Sequence, residues 1–446
     1  MNTTKSHVFH RMLGSEIPTA VRGDGAYLFD DTGKRYLDAS GGPAVSCLGH
    51  SHPAVIRAIK AQIDTLPYAY SGLFTTPPME ELADLLIKDA PGDLDRVLIV
   101  SSGSEAMEAS LKLARQYYLE TGQPERTRVI ARRQSYHGNT LGALATGGNM
   151  TRRTPYEPLL MKVAHVAPCY AYRDRRPEET EEAYAGRLAQ ELEATIQSVG
   201  PGNVMAFVAE TVAGATLGSV PAVPGYFKRI RETCDRHGIL LILDEVMCGM
   251  GRTGSYYACE QEGIAPDIVT VAKGLGGGYQ PVGAVIASAR IHNAIRQGSG
   301  VLRHGHTYLG HTTACAAALA VQKVIREEKL LDNVKSKGAM LAAALQERFG
   351  NHHHVGDIRG RGLFWSLELV RDRASKEPFD TARKLGERIN VEALERGLIC
   401  YPMSGTIDGK RGDHVSLAPP FNATAAHIEE AVDKLGQAVD AAVGRA

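Results

Sequence analysis

Between about residues 79 and 320, short apolar runs alternate with stretches whose apolar residues recur at helical spacing. The runs Arg96-Val-Leu-Ile-Val100, Arg128-Val-Ile-Ala131, Ala206-Phe-Val-Ala209, Leu240-Leu-Ile-Leu243, Ile268-Val-Thr-Val271 and Gly283-Ala-Val-Ile-Ala287 lack the polar alternation of a strand with one wet face. They predict strands buried on both sides. Each lies before or after a helical stretch, so the order predicts an α/β fold with a mostly parallel sheet covered on both faces.

The flanks read differently. Ala26 to Asp38 holds two short alternating segments around Asp31-Thr32-Gly33, the pattern of a hairpin. Within 174–200, Ala183, Leu188, Leu192 and Ile196 stand on one face of a charged segment, which predicts a surface helix. After about residue 325 the pattern becomes helix, a glycine-broken strand pair from Val355 to Leu369, another helix, and a last strand near Val415. The expected division is an N-terminal arm with part of a small domain (1–78), a large domain (79–325) and a C-terminal small α+β domain (326–446).

Composition narrows the functional classes. A chain of 446 residues, 43% hydrophobic, can bury a large core, and its 50 basic and 50 acidic side chains give no general attraction for nucleic acid. No helix-turn-helix or basic extension is visible. The start, Met-Asn-Thr-Thr-Lys-Ser-His, lacks the apolar region of a secretory leader, and no run reaches the roughly eighteen apolar residues of a membrane span. Seven scattered cysteines without a close-spaced pair suit reduced thiols, so a cytoplasmic location is expected. The His352-His353-His354 run lacks companion ligands, and no metal site is expected.

Candidate chemistry gathers where strands end. Asp244 and Glu245 close one strand and Lys273 closes another, 29 residues on (273 − 244). Ligands of α/β sheets bind outside the carboxyl ends of strands, so both groups are placed to face one cleft. A lysine there is commonly a solvated loop residue and an aspartate a helix cap. Together they match what pyridoxal phosphate requires: an amine for its Schiff base and a carboxylate that keeps its pyridine nitrogen protonated. Ser101-Ser102-Gly103-Ser104-Glu105-Ala106 follows a strand and opens a helix, which suits a phosphate as well as an ordinary cap. Tyr136, in Gln134-Ser-Tyr-His137-Gly138, is placed to stack on a ring, and Glu210 to bond neighbouring groups. Gly274-Leu-Gly-Gly-Gly278 lacks the G-x-G-x-x-G spacing of a dinucleotide site.

These residues carry a resemblance to the class III aminotransferases, pyridoxal-phosphate enzymes of fold type I. It extends from Tyr36-Leu-Asp-Ala-Ser-Gly-Gly and Gly49-His-Ser-His-Pro53 to Ala418-Pro-Pro420. Its most specific piece runs from Asp244-Glu-Val through Gly251-Arg-Thr-Gly254 to Asp267 and Lys273-Gly-Leu-Gly-Gly-Gly. The resemblance implies that Lys273 forms the Schiff base and moves the substrate proton, and that Asp244 pairs with the ring nitrogen. It further implies that Val246 and Tyr136 flank the ring, that Ser102, Gly103 and Ser104 hold the phosphate, and that His137 and Glu210 belong to the cofactor site. Thr307, in Gly305-His-Thr-Tyr-Leu-Gly-His311, matches a phosphate ligand lent by the neighbouring subunit, so a homodimer, with tetramers open, is implied. The implied reaction is ping-pong transfer of an amino group from a primary amine, diamine or ω-amino acid to pyruvate or 2-oxoglutarate. Aminomutase, racemase and decarboxylase chemistry share the same residues, and a non-catalytic ligand-binding descendant is a further alternative.

Substrate handles depart from the family. Tyr401 and Ser416 stand where its members carry carboxylate-binding arginines, which leaves Arg411, in the loop 404–412, as the candidate cation, with a solvated role open. Tyr68, Tyr70, Phe74 and Tyr401 are candidates for an aromatic substrate pocket, with core packing as the alternative. Thr211 and Thr312 replace prolines frequent in related motifs.

Overall fold

The computed structural model describes residues 6–444. Residues 1–5, part of the stretch read above as lacking a leader's apolar region, lie outside them.

Seven strands form the central sheet, in the order Leu94–Val100, Gly283–Ser288, Ile268–Val271, Leu240–Asp244, Val204–Glu210, Arg128–Arg132, Val163–Val166. The last five run parallel to one another. Gly283–Ser288 is antiparallel to both of its neighbours. The reversal follows from the connection: eleven residues separate Val271 from Gly283 (283 − 271 − 1), and they hold only the single 3₁₀ turn Lys273–Leu275. A parallel return needs a crossover of about a dozen residues or more, usually a helix. Two reversals leave Leu94–Val100 aligned with the parallel strands, so Val100 and Asp244 end at the same edge.

Alternate residues of each strand supply opposite faces. Leu241, Leu243, Phe207 and Val269 pack with Leu188, Leu192, Phe227 and Ile230 of the helices Glu181–Val199 and Tyr226–His237. Ile242, Val208, Ile268 and Val285 pack on the other side with Met107, Leu111 and Ile291 of the helices Gly103–Glu120 and Ala289–Gln297. Each such side chain, fully buried, contributes roughly 1.5–3 kcal/mol. That double burial is why the strands carry no polar alternation.

A second core joins both ends of the chain. Ala26, Leu37, Leu48 and Val55 share it with Leu341, Leu345, Phe349, Leu367, Val415, Ile428 and Leu435. The hairpin Tyr27–Asp30 with Arg35–Asp38 is antiparallel, and Leu398–Ile399 extends it in parallel. Val355–Arg361, Phe364–Leu369, Asp413–Leu417 and Tyr401–Ser404 form a separate antiparallel sheet in that order. The helix Thr312–Glu327 serves both cores, giving Ala314 and Ala318 to the first and Val321 and Ile325 to the second.

Polar ties lock these parts together. Arg252, fully buried, donates to the carbonyls of Leu363 at 3.0 Å and Pro419 at 2.6 Å. Glu368 is buried between Arg173 at 2.7 Å and Arg359 at 2.6 Å, and accepts from Tyr170 as well. All seven cysteines are free and buried. Among the described residues no helix is long and apolar enough to cross a membrane.

Candidate active site

Asp244 and Glu210 end neighbouring parallel strands in register with each other, and Asp244 is in register with Thr270 on the other side, three residues before Lys273. This edge opens into a cavity of about 390 Å³, a usual size for a small-molecule site. Lys273, Asp244, Glu210, Val246, Tyr136, His137, Ser102, Gly103 and Ser104 all line it.

The two strand-end acids part company. Asp244, 5% exposed, faces the cavity: its Oδ2 accepts from His137 Nδ1 at 2.7 Å and its Oδ1 from the Val246 N–H at 3.0 Å. Because a carboxylate only accepts, Nδ1 carries the proton, and the buried Nε2 of His137 has no partner among the described residues. Glu245 turns the other way, accepting from Thr211 Oγ1 at 2.9 Å, Ala258 N at 2.6 Å and Cys259 N at 2.8 Å. Burial, only partly offset by these bonds, pushes its carboxyl up to about 7. Thr211, where a proline is frequent, thus anchors the loop with its hydroxyl.

Lys273 takes the left-handed conformation, φ +44°, which costs an L-residue roughly 1–2 kcal/mol. Its amine has no hydrogen bond or ion pair among the described residues. Burial pushes it down to about 8 against the opposing pull of Asp244 and Glu210. An unpaired amine held close to neutrality in a cavity has the character of a nucleophile or base.

At the other end of the cavity the helix Gly103–Glu120 begins. Ser102 Oγ caps it by accepting from Glu105 N at 3.2 Å, while Glu105 Oε2 accepts from Ser101 N at 2.7 Å. The first N–H groups, of Gly103 and Ser104, have no intrahelical acceptor, and they stand at the positive end of the helix dipole. Ser104 Oγ accepts from Asn139 N at 3.0 Å. Close approach demands glycine here: a Cβ on Gly103 would lie 2.9 Å from Val246 Cγ1, and one on Gly138, at φ +128°, would lie 2.5 Å from Ser104 Oγ. Glu210, raised by burial, accepts from Tyr136 N at 3.2 Å and Gly214 N at 2.7 Å, and Arg132 donates to its carbonyl. An anion cradle, an unpaired amine and a buried carboxylate on one cavity wall fit pyridoxal phosphate by donor chemistry.

The remaining sequence candidates lie elsewhere. Thr307 is exposed and off the cavity, its carbonyl accepting from Tyr68 OH at 2.9 Å. Tyr68 packs on Tyr308 and His311, while Tyr70 and Phe74 are 51% and 66% exposed, so these three do not line the cavity of this chain. Tyr401 packs, half-buried, on the cluster of Val212 and Met247, two cavity-lining residues. Arg411 is solvated and does not line the cavity: its side chain is 61% exposed, and its Nε donates to Asp408 at 2.8 Å. Sequence reasoning missed Val45, Val212, Met247 and the segment Gln280 to Val282 as lining residues. Only the last carried a signal, its position between the lysine turn and the reversed strand.

Comparison with known proteins bears on the same geometry. The family described as aminotransferase class-III matches residues 14–439. An aminotransferase of Schizosaccharomyces pombe is 46% identical over 98% of this chain and 96% of its own length. An (S)-enantioselective omega-transaminase from Thermomicrobium roseum superposes with a TM-score of 0.92 at 34% identity, covering 98% of this chain and 96% of that one. An amine transaminase from an uncultivated Pseudomonas species, solved in its PLP-bound form, gives 0.91 at 35% identity, covering 98% and 99%. With its fold and nearly its whole length matched in this way, the chain belongs to the class III aminotransferases of fold type I.

Proposed function

We propose that this enzyme transfers an amino group from a primary amine, diamine or ω-amino acid to an oxo acid, pyruvate or 2-oxoglutarate, in two half-reactions at one site. The observation that carries the reading is the cavity itself, where an amine brought down to about 8 and a buried carboxylate share a wall with a helix N-terminus. Pyridoxal phosphate, when bound, supplies a carbonyl for amines and a ring that accepts the electrons of a broken Cα–H bond. Lys273 provides the attachment amine and, once released, the base that takes the Cα proton and returns it. Asp244 supplies the negative charge that keeps the ring nitrogen protonated, and His137, donating to its Oδ2, holds that carboxylate in place. The N–H groups of Gly103 and Ser104, with the Ser102 turn, hold the phosphate. Val246 and Tyr136, both on the cavity wall, would flank the ring, and Glu210 fixes the backbone at Tyr136.

We further propose a homodimer in which Thr307 reaches the neighbouring subunit's phosphate site. Supporting this, the segments around Tyr68 and Thr307 adjoin through the Tyr68–Thr307 bond and present Leu73, Phe74, Val301 and Tyr308 as exposed apolar groups. The free thiols support a reducing compartment, the cytoplasm. A screen of amine donors against pyruvate and 2-oxoglutarate, with Lys273→Ala as blank, tests the reaction. Stoichiometric consumption of oxo acid supports it, and failure of every donor with coenzyme retained refutes it.

A further inference from the structure

An oxo acid brings a carboxylate that needs a cation in a partly dry site. The basic side chains of the cavity lining are Lys273, committed to the coenzyme, and His137, bonded to Asp244, beside the two acids Glu210 and Asp244. Of the nearby arginines, Arg132 donates to the Glu210 carbonyl, Arg153 to the carbonyls of Ala145 and Gly147, and Arg411 to Asp408.

Arg152 differs from all three. Its guanidinium carbon lies 4.8 Å from the ring centroid of Tyr136, the residue that lines the cavity with Lys273 and Asp244. It makes no hydrogen bond or ion pair to any acid among the described residues. Its charge, together with that of Arg11, also reaches the hydroxyl of Tyr401, opposing the rise that burial imposes there, but only Arg152 is seated on the Tyr136 ring. The backbone beneath it is fixed: Asn149 Oδ1 accepts from Arg152 N at 3.3 Å, and the Thr151 hydroxyl donates to the Gly409 carbonyl. The head group is therefore stationed on an aromatic ring at the cavity wall, with no hydrogen-bond or ion-pair partner among the described residues, while its backbone is anchored. A guanidinium over a ring face keeps N–H donors at its edge for a carboxylate, which it binds in bidentate fashion.

Building on the aminotransferase reading, we propose that Arg152 is the specificity-determining residue for the oxo-acid acceptor, binding its carboxylate at the Tyr136–Tyr401 corner and resting on the Tyr136 ring when the substrate carries no carboxylate.

The test compares the wild-type holoenzyme with Arg152→Gln and Arg152→Lys, using one active amine donor and two kinds of acceptor, an oxo acid and the neutral aldehyde butanal. Loss of charge-assisted bonds raises KM for the oxo acid on the order of ten- to a hundredfold. The kcat/KM for butanal changes by less than about twofold, because no carboxylate is involved. Arg152→Lys, which keeps the charge and loses the fork, falls between; it also carries the test should the glutamine variant fail to fold. Equal losses with both acceptors, an unchanged oxo-acid KM, or the selective loss appearing in Arg411→Gln instead overturns the proposal and leaves the aminotransferase reading intact. A wild-type enzyme that consumes neither carbonyl refutes that reading and the proposal with it.

Discussion

The amine of Lys273 offers a direct quantitative test of the site's electrostatics. Burial brings it from the ordinary 10.5 to about 8, while Asp244 and Glu210 pull the other way. At pH 7.4 an amine titrating near 8 is about one-fifth neutral, whereas one at 10.5 is less than about one-thousandth neutral, a gain of roughly 250-fold in nucleophilic form. Competitive acetylation of coenzyme-stripped protein across pH, read by peptide mass spectrometry with the other lysines as internal reference, measures the midpoint at Lys273. The sign is fixed for a second perturbation: Asp244→Asn removes a charge that favours the ammonium, so the midpoint moves further below 8. A Lys273 midpoint near 10 would refute the claim that burial outweighs the two carboxylates. So would an upward shift in Asp244→Asn.

Two other perturbations separate chemistry from stability. Asp244→Ala removes the partner of His137 and the charge proposed to face the ring nitrogen, and lowers turnover on the order of a thousandfold or more; near-normal kcat contradicts the assignment. Glu368→Gln removes the buried charge that Arg173 and Arg359 share, leaving Arg359 with Asp357 at 2.9 Å and Arg173 with the Lys376 carbonyl, and destabilises the fold by about 3 kcal/mol, read from urea unfolding. Burial alone would raise the Glu368 carboxyl, but Arg359 and Arg173 outweigh it and hold it below the ordinary 4.5. Its contribution is thus present above about pH 4.5 and fades as pH falls through the folded value, a dependence the glutamine variant lacks.

Much of this site was legible because its chemistry sits at strand ends. A run such as Leu240–Asp244 is apolar until the one residue that leaves the sheet, so the pattern marks both the strand and the position of Asp244. Direction was not legible. A buried strand looks the same either way up, and only the short link after Lys273 reverses Gly283–Ser288. Val163–Val166 escaped notice because an edge strand of four residues containing a histidine carries little signal. Arg411 looked available in isolation, yet Asp408, three residues earlier, claims it within the same turn. Arg152 and Arg153 are indistinguishable in sequence. Folding buries one against carbonyls and stacks the other on Tyr136. Tyr68, Tyr70 and Phe74 lie off the cavity of this chain, which was not legible because an aromatic residue looks the same in sequence whether it lines a pocket or stands on the outer face.

The reaction depends above all on which side chain holds the coenzyme. Borohydride reduction of the yellow protein, followed by digestion and mass analysis, reads this directly. The expected result is a pyridoxyl adduct on the peptide containing Lys273, absent from Lys273→Ala; an adduct on any other side chain, or on none, contradicts it.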